Sequence, residues 1–383
     1  VKENRFDHVL LLMLSLVLPW RLHSQNADGG TNTLAHIQTR AQAGDVEAQV
    51  TLGNRFLDGE GVTKNPAEAV KWFRRAAQTG DVSAQYNLGV CLLFGNGVTK
   101  DANEAAGWLT KAAEQGVAEA QHNLANCYEV GEGVTQSQKE AAKWYQRAAE
   151  KGFAEAQYNL GHCYSEGRGV SEDFAEAAKW FRRAAVQGKA RAELALAGCY
   201  FQGKGVEKDL KEAIKWLRSA AEHGEANAQH NLGQFCLNGE GVRQDSQEAV
   251  KWLGKAADQG LALAQFELGL CYVNGTGVPT NFSVAAKWAG KAANQGMPAA
   301  QFFMGLAYLR GDGVPSNYVE ACKWFHLASK QGDEDAKEYL RMVREKLTPE
   351  EFARAEKLVR EFEQKAGVRL NGQEQKSPHK AGF

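Results

Sequence analysis

The stretch GDVSAQYNLGVCLLFGNGVTKDANEAAGWLTKAAEQ, residues 80–115, contains the whole folding pattern once. Ala84, Leu88 and Leu92 recur at i, i+4 and i+8, which places one apolar stripe on a first helix. Gly95-Asn96-Gly97-Val98 ends that helix: the first glycine can take the left-handed conformation that closes it, and the valine can anchor the loop. Asp101 stands where an N-cap belongs, and Glu104 follows three residues later, the pattern of a capping box. Ala105, Trp108, Leu109 and Ala112, with Ala113 beside them, then mark the buried face of a second helix. This stretch is predicted to be two antiparallel helices joined by a tight turn.

Outward from it the pattern recurs with no insertion or deletion. Trp72, Trp108, Trp144, Trp180, Trp216, Trp252, Trp288 and Trp324 are each 36 residues apart, and only Trp20 lies outside the series. Repeats open at Gly44, Gly80, Gly116, Gly152, Gly188, Gly224, Gly260 and Gly296, with a half repeat from Gly332. Each has its N-cap residue: Asn65, Asp101, Ser137, Asp173, Asp209, Asp245, Asn281 and Asn317. Glutamate follows three residues on in all but one, where Val284 replaces it. Self-similarity at a fixed period marks stacked repeats sharing a continuous core. The expected fold is all-α, a right-handed superhelical α-solenoid of tandem hairpins over residues 44–331. Leu34–Ala43 aligns with a second helix in which His36 replaces the tryptophan, so residues 25–43 read as linker and N-terminal cap. Residues 332–366 read as capping helices, and 367–383 as a disordered tail.

The chain balances 45 Lys and Arg against 46 Asp and Glu, with no basic stripe of the kind that wraps duplex nucleic acid. At the amino terminus, Lys2 and Arg5 precede the apolar run Val9–Leu18, which Pro19 ends. That run is shorter than the ~20 residues that span a bilayer. It fits the core of a secretory signal peptide ending near Ser24, residues 1–24, so the mature chain is expected to have no integral membrane span. The expectation is export to the periplasm or medium. The alternatives are a membrane-associating start and a cytoplasmic protein.

The strings Ala156-Gln157-Tyr158-Asn159-Leu160-Gly161, Gly167-Arg168-Gly169-Val170 and Glu176-Ala177-Ala178-Lys179-Trp180 resemble the Sel1-like repeat, a subclass of the tetratricopeptide-like hairpins. The resemblance covers residues 44–346. It implies a scaffold or adaptor of the sort found in protein assembly, quality control, signalling and bacterial–host contact. Some secreted relatives carry two cysteines per repeat, joining the two helices. Here no repeat holds two, so that framework is absent, and the unpaired thiols weaken the case for export.

Cys91, Cys127, Cys163, Cys199 and Cys271 share one position of the first helix. Equivalent positions in adjacent hairpins stand ~10 Å apart, beyond a disulfide's reach, so these thiols read as small buried hydrophobes. His122 and His230 occupy a position held elsewhere by Tyr86, Tyr158, Phe266 and Phe302, and read as packing substitutes rather than metal ligands. No metal and no cofactor is expected. A relative's β-lactamase label raises a cell-envelope hydrolase as the alternative function. The one S-x-x-K, Ser377-Pro378-His379-Lys380, lacks its partner motifs, and no catalytic residue is assigned.

What remains is a stripe beside the buried face of the first helices, expected to line a concave groove. Asn87, Asn123, Asn159 and Asn231 recur at one position, and Asn126 and His162 at another. Asparagine offers donor and acceptor together, so a ladder of it can pair with the backbone of an extended peptide, or it can simply be solvated. In the last repeats the stripe turns apolar with Phe303, which either anchors a partner or packs under the C-terminal cap. The predicted function is a monomeric, non-enzymatic scaffold for partner proteins or peptides, with no nucleic-acid partner.

Overall fold

Residues 33–373 are described by a computed structural model; the apolar run Val9–Leu18, Ser24 and residues 374–383, with Ser377 and Lys380, lie outside the described residues. The described residues form nineteen helices and no strand. A leading helix, α1 (Leu34–Gln42), precedes eight hairpins. Their first helices, called A, are α2 (Val46–Asp58), α4 (Val82–Phe94), α6 (Ala118–Val130), α8 (Ala154–Glu166), α10 (Ala190–Gln202), α12 (Ala226–Asn238), α14 (Ala262–Asn274) and α16 (Pro298–Arg310). Their second helices, called B, are α3 (Pro66–Gln78), α5 (Ala102–Glu114), α7 (Gln138–Glu150), α9 (Phe174–Ala185), α11 (Leu210–Glu222), α13 (Ser246–Asp258), α15 (Phe282–Asn294) and α17 (Tyr318–Lys330). Then come α18 (Glu334–Arg344) and α19 (Pro349–Gln373), both packed on α17. The last helix therefore runs past the expected boundary at residue 366.

Two compact units contain these hairpins among the described residues. One holds residues 33–187 with Lys204–Val206, and the other holds Gly188–Gly203 with the chain from Glu207 on. Within each, every A helix packs on its own B helix.

The expected helix ends form. Each A helix closes on a left-handed glycine, such as Gly95 at φ 70°. Each B helix opens on the predicted N-cap, whose side chain accepts from the N–H three residues on, as Asp101 does from Glu104. The capping box itself does not form in the repeats. The N-cap N–H is already donated to an A-helix carbonyl, Asp101 to Leu92 and Asp173 to Tyr164, for example. With that donor taken, the glutamates turn to cations instead: Glu68 to Lys71, Glu176 to Lys179 and Glu104 to Arg74 of the preceding repeat. A complete box forms at Thr348 and Glu351, where no such carbonyl competes.

The core lies one residue past the tryptophan. Phe73, Leu109, Tyr145, Leu253 and Phe325 are fully buried, each in its hairpin against the A helix. In six of the eight A helices glycine permits the approach, since a Cβ at Gly161 would stand 2.5 Å from the Phe181 ring; Ala125 and Ala197 take the place in the other two. The tryptophans sit further out. Trp180 and Trp252 are 8% exposed and Trp108 is half-buried. Cations cover their rings: the Arg183 guanidinium lies 4.3 Å from the Trp180 ring centre and the Lys255 ammonium 4.0 Å from that of Trp252. The long side chains lay their stems on the indole while their charges stay wet.

Two further devices lock hairpin to hairpin. A glutamine in each A helix but one is buried and donates through Nε2 to the B-helix carbonyl eight residues earlier, as Gln157 does to Ala149 and Gln265 to Ala257. Gln49 and Gln121 leave Oε1 without a partner among the described residues, Thr79 and Lys151 standing where the other hairpins have a glutamine. In the remaining five, Oε1 accepts from the glutamine at the end of the same B helix, as from Gln187 or Gln295. These bonds satisfy both ends of a buried amide that would otherwise be costly. From the second repeat on, the second glycine of the G-x-G, at positive φ, lies against the start of the preceding B helix. A Cβ at Gly169 would come within 2.0 Å of the Gln138 carbonyl oxygen, and one at Gly313 within 2.0 Å of that of Phe282.

Candidate functional site: the face of the A helices

Along the A helices, the residue at one repeat position meets the residue 37 further on in the next repeat. Tyr86 and Asn123 face each other at this spacing, the amide close enough to act on the phenol. His122 and Asn159 follow, with Asn159 Nδ2 3.2 Å from His122 Nε2. In the other unit His230 Nε2 stands 2.8 Å from Glu267 Oε2, and the Phe266 and Phe303 rings meet edge to face at 6.3 Å. Phe302 and Tyr339 of α18 extend the series at 5.5 Å. A second spacing, 33 residues, joins Asn54 Oδ1 to Asn87 Nδ2 at 3.1 Å and Gln234 to Glu267. The stripe is thus a seam between neighbouring A helices.

That placement accounts for each residue singled out in the sequence. Asn87 is buried and bonded to Asn54, and Asn123 Oδ1 lies 3.3 Å from His122 Nδ1. The Asn126 side-chain amide lies in hydrogen-bond contact with Tyr145 Oη. His162 Nδ1 lies 3.1 Å from Glu166 Oε1, its ring packed on Tyr158 and Phe181. Asn231 Oδ1 faces His230 Nδ1 at 3.2 Å. Phe303 belongs to an apolar cluster that includes Trp324, Val359 and Phe362, the last two from α19. The asparagines therefore spend bonding capacity inside the array, Asn87 and Asn159 on the preceding repeat and Asn126 and Asn231 on their own, and the Phe303 cluster includes residues of the cap. What stays open is smaller: Leu263 on α14, 49% exposed, one turn before the half-buried Phe266.

Sequence reasoning missed a buried network joining repeats three and four. Tyr145 Oη donates its one hydrogen to Glu129 Oε2 at 2.6 Å and also touches the Asn126 side-chain amide, and Arg168 pairs with Glu129 as well. Burial first, and then the Glu129 charge, hold the Tyr145 phenol well above its ordinary pKa, so it remains a donor. The available signal was glutamate at a position that other repeats fill with Leu57, Leu93 or Leu237.

Eight consecutive matches to the Sel1 repeat cover residues 46–81, 82–117, 118–153, 154–189, 190–225, 226–261, 262–297 and 298–333. The chain belongs to the Sel1 repeat family. Such solenoids are in general non-catalytic scaffolds for protein interactions. A Sel1 repeat protein of Oxalobacter formigenes is 31% identical, with a TM-score of 0.66 over 90% of this chain and 97% of that one. A protective antigen of uropathogenic Escherichia coli with the same repeat fold is also 31% identical over 91% of each chain, with a TM-score of 0.48. The secretory immunoglobulin A-binding protein EsiB of Escherichia coli O6:H1 is 38% identical over 66 residues, which span 17% of this chain and 13% of that protein.

The Sel1 frame also explains the titratable groups. All seven cysteines are free, and burial pushes Cys91 up to about 11 and Cys163 up to about 12. Thiols so raised are packing groups rather than nucleophiles. Glu104 and Glu248 are lowered, first by their hydrogen bonds from Arg74 and Arg218, an ion-pair effect that requires no catalytic role. Among the described residues no group of three or more His, Cys, Asp or Glu is placed to hold a metal ion. No helix among them is long and apolar enough to cross a membrane.

Proposed function

We propose that the A-helix face holds an extended segment of a partner protein, anchored at the seventh and eighth repeats. The observation that carries this reading is Leu263. Among the described residues it is the one large hydrophobic side chain that an A helix leaves exposed, and it adjoins the Phe266–Phe303 pair. An apolar side chain beside a half-buried aromatic pair suits a hydrophobic anchor. Within the same compact unit, Asn231, Gln234 and Glu267 then offer the bonding valences that their internal pairs leave over. A relative named for binding an immunoglobulin is of the same kind, one protein holding another.

The test is site-specific photocrosslinking in the native cell, with the reactive residue at Leu263 or, as reference, at Lys251, which is exposed on helix B. Adducts specific to position 263, and lost when Phe266 is replaced by Ala, support the reading. Equal labelling at both positions places the partner elsewhere. In Leu263→Asp, binding should drop at least tenfold while stability moves by less than about 0.5 kcal/mol, the usual range for an exposed site.

We further propose that the protein acts outside the cytoplasm as a monomer, on the apolar run Val9–Leu18 and the charged residues before it. A reporter fused to residues 1–30 should leave the cytoplasm and lose its leader near Ser24; an intact cytoplasmic fusion refutes this.

A further inference from the structure

His122 and His230 occupy the same place in repeats three and six, yet their partners differ. His122 Nε2 faces the amide nitrogen of Asn159, which can only donate, so that ring nitrogen accepts. His122 Nδ1 faces Asn123 Oδ1 and donates. One donor and one acceptor are what a neutral imidazole supplies. His230 meets two acceptors instead, Asn231 Oδ1 at 3.2 Å and Glu267 Oε2 at 2.8 Å. Only the imidazolium, with a hydrogen on both nitrogens, satisfies both. In the same arrangement Asn231 Nδ2 is buried with no partner. Leu194, 37 residues earlier, stands where Tyr86 and His122 stand for their asparagines, and carries no group to receive it.

We propose that His230 and Glu267 form a proton-operated staple between α12 and α14, closed when the imidazole is charged. When the proton leaves Nδ1, the Asn231 amide turns over. Its Nδ2 then donates to the bare ring nitrogen, and the ion pair to Glu267 becomes a neutral hydrogen bond. Among the described residues, Glu267 is the one charge that bears on the ring. On α11 and α13, Glu212 is taken by Lys215, Arg218 by Glu248, and Lys255 lies over Trp252. Glu193 of α10 is bonded to Ser219 and His223. The His230 side chain is 13% exposed. That burial lowers its basicity, but the hydrogen bond and charge of Glu267, with Asn231, outweigh it, and the group stands above its ordinary value. A folded-state value above the unfolded one means the staple's stabilisation is full below pH about 6.5. It is lost as pH rises through the folded value.

Histidine-selective nitrogen NMR on the full chain reads the ring directly, with hydrogen exchange as the structural readout. His230 should titrate above about 6.5, and below its wild-type value in Glu267→Gln. Protection of α12 and α14, corrected for intrinsic exchange, should fall about fivefold as pH rises through that titration, the difference between a charged and a neutral hydrogen bond. His230→Tyr, the residue of repeats two and four, should abolish that fall. A wild-type His230 that titrates at or below about 6.5 overturns the proposal without recourse to any variant. So does a protection change that survives in Glu267→Gln.

Discussion

The A helices of the first four repeats and those of the last four share one backbone plan and differ in what they carry. In α2, α4, α6 and α8 the charged residues are Glu47, Asp58, Glu119, Glu129, Glu155 and Glu166, against Arg55 alone. In α10, α12, α14 and α16 they are Arg191, Glu193, Glu267 and Arg310, which cancel. The seam follows suit: hydroxyl, imidazole and amide in the first set, an ion pair and then aromatic rings in the second. Such divergence is tolerated because the frame does not depend on the seam. Buried glutamines, close-packed glycines and alanines hold the hairpins in both halves, leaving the seam free to vary with what it touches.

If the frame is common, breaking it should be equally severe in either half. Gly169→Ala and Gly313→Ala each drive a Cβ to 2.0 Å from a carbonyl oxygen at positive φ. Each should cost more than about 4 kcal/mol in chemical denaturation. Gly152→Ala, at φ 89° with nothing near its Cβ, should cost only about 1–2 kcal/mol, the left-handed penalty alone. A large difference between the first two variants would refute the common frame.

The seam should respond unequally. Phe303→Ala removes an aromatic from a cluster shared with Val359 and Phe362 and should destabilise by about 2–3 kcal/mol. Asn159→Ala removes one hydrogen bond to His122 and should cost about 1 kcal/mol. Thermal unfolding of the pair sharpens the contrast, and equal losses would erase it.

The smallest effect concerns acid. Arg74–Glu104 and Arg218–Glu248 are the same cross-repeat pair in the two halves, and each glutamate is lowered by its arginine. A lowered carboxylate stabilises above its unfolded value, and that contribution disappears as pH falls through the folded one. Glu104→Gln and Glu248→Gln should each flatten stability on the acid side, lying slightly below the wild type at neutral pH and converging with it as pH falls through the folded value. Both carboxylates are about a third exposed, so solvent screening keeps each effect small.

The helices, their caps and the turns were legible because the period exposes every local signal eight times. Periodicity could not show which contacts run between repeats. The tryptophans advertised themselves as core, yet the residue after each is the deeper one, because a neighbouring cation shields the indole from above. The buried glutamines carried no signal of their own, because amides usually stand at the surface; their burial depends on a carbonyl eight residues back and, in five of the seven, an amide thirty ahead. The asparagine ladder was read as free because its partners lie 33 and 37 residues away. Complementary chemistry at those offsets, Tyr86 with Asn123 or His230 with Glu267, was the signal to seek.

Each glutamine clasp is written so that a hairpin brings its own halves of two bonds: an amide for the hairpin before it and a carbonyl for the one after. Excising the seventh repeat would set Gln301 against Ala257 in place of Ala293, the same chemistry. Unequal recombination can therefore lengthen or shorten this gene by whole repeats without leaving a buried amide stranded. The join between repeats three and four is the exception. Glu129, Tyr145 and Arg168 depend on one another, so a crossover that deletes the Arg168 loop would strand a buried carboxylate. Length variants in natural populations should be common elsewhere in the array and rare across that join.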